Sequence, residues 1–166
     1  MSMAQEATGK TVNVLIVGIG GQGALKTGEV LSEVLVRLGH DVKQSEVHGM
    51  SQRGGSVTSE VRYGREVHSP VIGAQEADFV IALDANEGRR SEPRLRPGNG
   101  RLVTVPDELV AQLPDPRGKN MAALGLLSRH LDIDPTLWHD AIRHYMPPES
   151  IEANIKAFEL AREFKG

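Results

Sequence analysis

The stretch VNVLIVGIGGQG, residues 12–23, constrains the fold more than any other part of the chain. Its apolar run, residues 12–17, is typical of a central parallel strand, and it leads directly into a glycine-rich turn. Residues 24–38 then repeat apolar side chains at helical spacing. Strand, glycine turn and helix together open a βαβ unit, in which the free N–H groups at the start of the helix attract anions. The stretch predicts that this turn holds a phosphate-bearing ligand or contacts a partner.

Strand and helix patterns alternate along the rest of the chain. Further strands are predicted at residues 41–47, 56–63, 79–83 and 102–105, and further helices at 107–113, 120–130, 135–145 and 148–164. This order predicts an α/β, Rossmann-like three-layer fold with a mostly parallel sheet. A turn at Gly64 and Arg65 also predicts an antiparallel hairpin near residues 56–68. A length of 166 residues suits one domain, residues 11–166, after a flexible leader at 1–10.

Composition excludes several classes of function. The formal net charge of −3 gives no positive field for nucleic acid. The chain has no cysteine, which excludes disulfides, thiolate catalysis and an iron–sulfur cluster held by this chain alone. No apolar run approaches the roughly 20 residues that cross a bilayer, and the polar N-terminus lacks a signal core. We therefore expect no membrane contact and a cytoplasmic location.

The glycines of the first turn allow more than one interpretation. Gly18, Gly20 and Gly23 satisfy the GxGxxG pattern of a dinucleotide site, in the right place between strand and helix. Glu46 lies near the position of the acid that binds ribose in such sites, but a long polar loop follows it. In an alternative interpretation the glycines bind no ligand and are needed only for a tight crossing between the strand and the helix. A P-loop is excluded because Ala24 stands where its lysine belongs.

A second glycine-bounded loop, EVHGMSQRGGS at residues 46–56, adds polar groups. In an α/β sheet the loops that follow strands one and two emerge at the same edge, so we expect the two loops to face one crevice. His48 carries an imidazole, which can act as a general acid or base, and is the only catalytic candidate, while Arg53 is a forked donor for phosphate or carboxylate. No metal-binding spacing is present. The predicted cofactor-binding residues are Gly18, Gly20, Gly21, Gln22, Gly23, Ser51, Gln52, Arg53, Gly54 and Gly55.

Two smaller patterns also give expectations. The first helix has one apolar stripe, formed by Leu25, Gly28, Leu31, Leu35 and Leu38, and Glu33 is correctly spaced to pair with Arg37. Four arginines cluster in the polar segment 87–100, where a solvated loop is a better interpretation than a site for phosphates or an acidic partner. They are Arg89, Arg90, Arg94 and Arg96.

Three blocks of sequence carry a resemblance to a known family. They are GIGGQG, EVHGMSQRGGS and HSPVIGAQEADFVIALD, with weaker matches at Asn120 and in the N-x-x-A-F pattern at Asn154. Together they resemble the gamma-type subunit or domain of the 2-oxoacid:acceptor (ferredoxin) oxidoreductases, over residues 12–160. Within that family the sequence is most similar to the small beta subunit of the indolepyruvate enzymes, although it is short around residues 87–100.

The resemblance implies a subunit of an enzyme complex. Such a complex oxidatively decarboxylates a 2-oxoacid, here indolepyruvate or another aryl pyruvate, forms an acyl-CoA and passes electrons to ferredoxin. Thiamine diphosphate and the iron–sulfur clusters are expected on a large companion subunit. This chain would complete the assembly and help bind or gate coenzyme A, with no activity alone. The alternatives are a stand-alone NAD-binding module or dehydrogenase, and a purely structural subunit.

Overall fold

The computed structural model describes residues 9–48 and 54–166 as five strands and six helices. The strands are β1 (Val12–Ile19), β2 (Asp41–His48), β3 (Ser56–Gly64), β4 (Phe79–Ala82) and β5 (Arg101–Thr104). The helices are α1 (Ala24–Arg37), α2 (Ala85–Ser91), α3 (Asp107–Val110), α4 (Lys119–Ser128), α5 (Pro135–Tyr145) and α6 (Ile151–Glu163). Short 3₁₀ turns stand at Glu92–Arg94, Pro116–Gly118 and Pro148–Ser150. None of the helices in these two ranges is long and apolar enough to cross a membrane.

The strands form one sheet in the order β2-β3-β1-β4-β5. β1, β4 and β5 are parallel, while β3 is antiparallel to both of its neighbours. Four strands therefore point the same way, which confirms the mostly parallel sheet with an antiparallel element. The hairpin consists of β2 and β3; residues 66–68, expected to be its second arm, form no strand. β3 is instead hydrogen-bonded to β1 on one side and to β2 on the other, so it has no free edge with which that segment could pair.

Helices cover the two faces of the sheet unequally. Alternate side chains of β1, including Val14 and Ile16, join a large core built against α1, α4, α5 and α6. The intervening Leu15 and Val17 join a smaller core on the opposite face, with Ile72 and the segment before β4. Helix α2 also packs over β1 and β4 there. β1 is buried on both faces, as its continuous apolar run predicts, and the three layers are confirmed.

Two arginines of the polar segment are structural, so the expected solvated loop is wrong for them. Arg94 bonds the buried carboxylate of Glu60 at 3.0 Å, and Arg96 bonds that of Asp78 at 2.9 Å. Each carboxylate also accepts a backbone N–H, from Ile72 and from residue 13 respectively. Buried carboxylates require such partners, and these bonds hold the segment before β4 and the turn after α2 against the sheet.

Helix α1 confirms part of its predicted pattern. Glu33 and Arg37 pair at 3.0 Å, and Gly39 follows the helix with φ +88°, a conformation that favours glycine. The predicted stripe is wrong at Leu25 and Leu38, whose exposed fractions are 39% and 41%. The stripe is confirmed at Gly28, Leu31 and Leu35, which are buried. Together with Val30 and Val34 they form the face that packs on the sheet, which leaves both outer leucines on its margin.

Candidate functional site

The glycine turn follows β1, at the point in the sheet where the connections after two neighbouring strands run to opposite faces. β1 and β4 are parallel neighbours, but the helix after β1 packs on one face and the helix after β4 packs on the other. The two connections therefore separate and leave a crevice at the carboxyl ends of these strands. Ligands of open α/β sheets bind at such crevices.

Gln22 shapes the turn. Its side-chain Oε1 accepts the N–H of Ile19 at 2.8 Å, and its own N–H donates to the carbonyl of Ile19. A Cβ at Gly18 would lie 2.9 Å from that side-chain oxygen and 3.2 Å from the Cβ of Leu83, so a larger residue there would displace the Gln22 side chain. Gly21 and Gly23 have φ angles of +90° and +82°, and Gly23 caps α1. The turn thus has a defined shape that presents backbone N–H groups at the start of a long helix.

The structure brings the two predicted loops together. The N–H of Gly20 donates to the carbonyl of Gly55 at 3.0 Å, and Gly54 has φ +66°. Because β3 returns antiparallel between them, β2 ends at the same edge as β1 although the two strands are not adjacent. Ser51, Gln52 and Arg53 lie outside the described residues.

His48 stands at the end of β2, away from the crevice. Its Nε2 lies 2.6 Å from Oε1 of Glu46, and its side chain is 66% exposed. Neither residue lines the cleft that contains the glycine turn. β3 separates them from β1, whereas a dinucleotide site places its ribose-binding acid on the strand next to the first. At about 4.8 Å per strand, Glu46 lies two strand spacings from β1, so the geometry does not support the ribose role.

A cleft of about 420 Å³ opens beside the glycine turn. Gly21, Gln22 and Gly23 form one wall, and the 3₁₀ turn Pro116–Gly118 and the start of α6 form the others. A smaller pocket of about 240 Å³ shares Gln22 and Arg117 with it and reaches Leu83 at the end of β4. The cleft thus joins the switch point of the sheet to the C-terminal helices, which the sequence pattern did not predict.

Asn120, the second residue of α4, points its side chain at the glycine turn. It is 7% exposed and lines both the cleft and the smaller pocket. Its Oδ1 accepts the N–H of Met121 at 3.0 Å, while a Cβ on Gly23 would lie 2.6 Å from its Nδ2. Among the described residues no acceptor is bonded to that Nδ2, nor to the N–H groups of Gly21 and Gly23. Three donors that have no partner among the described residues therefore belong to residues that line this cleft.

Charges of both signs surround the cleft mouth. Lys26 pairs with Glu29 at 3.1 Å and lies over the ring of Tyr145. Arg117 is 91% exposed and bonds Asp115 at 2.7 Å, and these hydrogen bonds hold the pKa of Asp115 below its ordinary value. Lys26 and Arg117 supply cations next to the free donors, which suits an anionic ligand.

Sequence reasoning missed several of these residues as parts of a site. Lys26, Arg117 and Asn120 line the cleft but come from three separate elements. One local signal was present: Asn120 is a polar residue at the start of a helix that is otherwise apolar nearly all round. In the described ranges no group of three or more His, Cys, Asp or Glu residues could hold a metal ion.

Comparison with known proteins gives consistent matches. Residues 13–164 match the family model described as Pyruvate ferredoxin/flavodoxin oxidoreductase. The chain is 43% identical over 83 residues to indolepyruvate oxidoreductase subunit IorB of Methanothermobacter thermautotrophicus, covering 50% of this chain and 42% of that protein. It is 30% identical over 190 residues to IorB of Thermococcus kodakarensis, covering 91% of this chain and 94% of that protein. It is 28% identical to 2-oxoglutarate synthase subunit KorC of Archaeoglobus fulgidus, covering 93% of this chain and 88% of that protein.

Solved structures share the fold. The gamma subunit of keto/oxoacid ferredoxin oxidoreductase from Geobacter sulfurreducens superposes with a TM-score of 0.71 at 22% identity, covering 92% of this chain and 96% of that one. The second structure is the 2-oxoglutarate:ferredoxin oxidoreductase from Magnetococcus marinus, solved with 2-oxoglutarate, coenzyme A and succinyl-CoA bound. It superposes with a TM-score of 0.74 at 20% identity, covering 94% of this chain and 32% of that one. In the second case, this fold is one part of a longer chain.

Proposed function

Because the chain belongs to the pyruvate ferredoxin/flavodoxin oxidoreductase family, we propose that it is the small, gamma-type subunit of a 2-oxoacid:ferredoxin oxidoreductase. The complex would oxidatively decarboxylate a 2-oxoacid, form an acyl-CoA and pass two electrons to ferredoxin. Two matched relatives are named as indolepyruvate oxidoreductase subunits, which supports indolepyruvate or another aryl pyruvate as the substrate. The cytoplasmic location stays a prediction.

The chemistry of the side chains supports a division of labour between subunits. The chain has no cysteine, so it offers no thiolate ligand for an iron–sulfur cluster. We place the clusters and thiamine diphosphate, which supplies the carbanion chemistry of decarboxylation when bound, on a large companion subunit. This chain would complete the assembly and contribute binding groups. We accordingly expect the isolated chain to be inactive.

The role we propose for the cleft is to bind or gate coenzyme A. The observation that carries this proposal is a set of three donors on residues that line one cleft: the N–H groups of Gly21 and Gly23 and the Nδ2 of Asn120, none of which has a partner among the described residues. A phosphate bound there would accept from all three donors at the positive end of α1, with Lys26 nearby. The proposal includes Ser51, Gln52 and Arg53 by their place in sequence next to Gly54. His48 does not line this cleft, so its part as a catalytic or binding group stays a prediction.

The test uses the complex purified with its companion subunit. Asn120→Asp keeps the acceptor for Met121 but replaces the free donor by a carboxylate that repels phosphate. A lost hydrogen bond to a charged group is worth about 2 kcal/mol, so we expect KM for coenzyme A to rise by at least about tenfold. KM for indolepyruvate and kcat should change by less than about twofold, because the substitution removes binding and no reacting group. Coenzyme A titrations with constant indolepyruvate measure this.

Asn86→Asp is the control, because Asn86 is exposed on α2 and contacts Arg89. It should leave every constant unchanged. An unaltered KM for coenzyme A in the Asn120 variant would remove the cleft from the proposal. Turnover of a 2-oxoacid by the isolated chain would contradict the division of labour, and saturable binding of NAD(H) would favour the stand-alone nucleotide-binding alternative. Pyruvate and 2-oxoglutarate, compared with indolepyruvate in the same assay, test the substrate class.

A further inference from the structure

Strand β5 ends the sheet with a free edge. The N–H of Arg101 donates to the carbonyl of Asp78 at 2.9 Å, so Arg101 and Val103 direct their backbone groups toward β4. Backbone groups alternate in direction along a strand, and those of Leu102 and Thr104 therefore face outward. In the part of the chain that the structure describes, no strand lies on that side. Such an edge can receive one more strand.

A groove of about 410 Å³ runs beside this edge. β5 forms one wall through Leu102, Val103 and Thr104, and the end of α4 with the following turn forms the other through Leu126, Arg129 and His130. Leu126 is half-buried, and the ring of His130 packs on Phe79 with centroids 5.8 Å apart. We call this feature the β5 groove. It offers outward backbone groups along one side and apolar side chains beside them.

The charge of the β5 groove is positive. Arg101 and Arg129 are exposed, and Nη1 of Arg129 donates to the carbonyl of Phe164 at 3.1 Å, which holds the guanidinium in place. Burial lowers the pKa of His130, and the charges of Arg101 and Arg129 lower it further, so both cations act on the groove. A second copy of this chain paired edge to edge would bring like charges together. An acidic segment would complement them.

We propose that the β5 groove docks an extended, acidic segment of the companion subunit, which adds a strand to the sheet at β5. This inference rests on the proposed function, because it names a surface through which that subunit would bind. The segment would exchange hydrogen bonds with the backbone of Leu102 and Thr104 and place carboxylates near Arg101 and Arg129. The opposite edge, β2, is a weaker candidate because charges of both signs line it, with Lys43 paired to Asp41 at 2.8 Å.

Hydrogen exchange tests the backbone part of this proposal. The isolated chain and the purified complex are compared, with exchange followed in peptides that cover β5 and β2. An added strand protects the outward N–H groups, so we expect exchange at Leu102 and Thr104 to slow by at least about tenfold in the complex. Protection of β2 without protection of β5 would overturn the proposal, as would unchanged exchange at both edges.

Two variants test the groove through the affinity of the separated subunits. Arg129→Glu reverses a groove charge, and Arg89→Glu, at an exposed position on α2, is its matched control. Thr104→Pro removes an outward N–H without removing a bond to β4. We expect Arg129→Glu and Thr104→Pro each to raise Kd by about tenfold or more, and Arg89→Glu to change it by less than about twofold. Thermal melting verifies that each variant folds.

The outcomes separate the two proposals. If no large subunit with 2-oxoacid-dependent activity co-purifies with the wild-type chain, the proposed function fails. If that subunit co-purifies but exchange at β5 is unchanged, or both groove variants bind as wild type does, only the docking surface is overturned.

Discussion

At the scale of single residues, Gln22 shows how one side chain sets the shape of the candidate site. Its carboxamide oxygen accepts the N–H of Ile19 at 2.8 Å, and its backbone N–H donates to the same residue. These bonds close the glycine turn onto the end of β1 and direct the turn toward Asn120. The residue is half-buried, so water replaces the lost bond only partly when the side chain changes.

We predict that Gln22→Met lowers the free energy of unfolding by about 1 kcal/mol, the usual net value of one hydrogen bond. Methionine has a similar length but cannot replace the carboxamide as an acceptor for Ile19. Gln22→Glu keeps an acceptor oxygen and serves as the matched control with a smaller loss. Urea denaturation of the isolated chain measures both. Equal stabilities for the methionine variant and wild type would show that the turn holds its shape without this bond.

At the scale of elements, the contact between α4 and α6 makes a glycine necessary inside a helix. A Cβ on Gly125 would overlap the carbonyl oxygen of Phe158 and lie 2.7 Å from the Cβ of Ala161. α4 and α6 also share more contacts than any other pair of helices. Their close approach closes the large core and places the start of α6 on the wall of the cleft. The position therefore connects packing to the site.

Gly125→Ala should be destabilising although alanine is the better helix former. Helix propensity alone predicts a gain of up to about 1 kcal/mol, while overpacking a tight contact costs about 1–3 kcal/mol. We expect a net loss of about 1–2 kcal/mol in urea denaturation, because the opposing atom belongs to the backbone and cannot rotate away. Lys156→Ala, at an exposed position on α6, should stay within about 0.5 kcal/mol of wild type. A stabilised Gly125 variant would contradict the close approach of the two helices.

At the scale of the whole molecule, two histidines in different regions couple folding to pH. His40 packs on Tyr63 with ring centroids 5.2 Å apart, and His130 packs on Phe79 beside the β5 groove. Burial lowers the pKa of His40, and burial together with nearby arginines lowers that of His130. The unfolded chain binds protons at a pKa near 6.5, and the folded chain binds them only at lower pH. Protonation therefore favours the unfolded chain.

We predict that this contribution to stability is present above about pH 7 and is lost as the pH falls through 6.5 toward the lowered folded pKa. Replacing both histidines by phenylalanine keeps the aromatic contacts and removes the titrations. The double variant should lose less stability than wild type between about pH 7 and 5.5. Urea denaturation of the isolated chain across this range, with pH 8 as the reference, measures the difference. Parallel curves for the two proteins would refute the coupling.

Local signals in the sequence determined most of the elements and the presence of a glycine turn. The pattern of residues 135–145 predicts a helix, which is α5, and that of residues 120–130 predicts a buried helix, which contains most of α4. The apolar run of β1 indicates its central place in the sheet. Each of these features depends on neighbours within a few positions, which set periodicity, capping and burial. The assignment of residues 11–166 to one domain stays a prediction.

Tertiary structure decided the features that depend on distant partners. Whether β3 pairs with a following segment or between β1 and β2 depends on which strand completes its hydrogen bonds. Arg94 and Arg96 became structural because the fold buried Glu60 and Asp78 beside them. Asn120 joined the candidate site because α4 packs against the glycine turn. The local sequence pattern indicates which side of a helix or strand is apolar and which is polar. The partner of each side chain is set only when the whole sheet and its helices pack together.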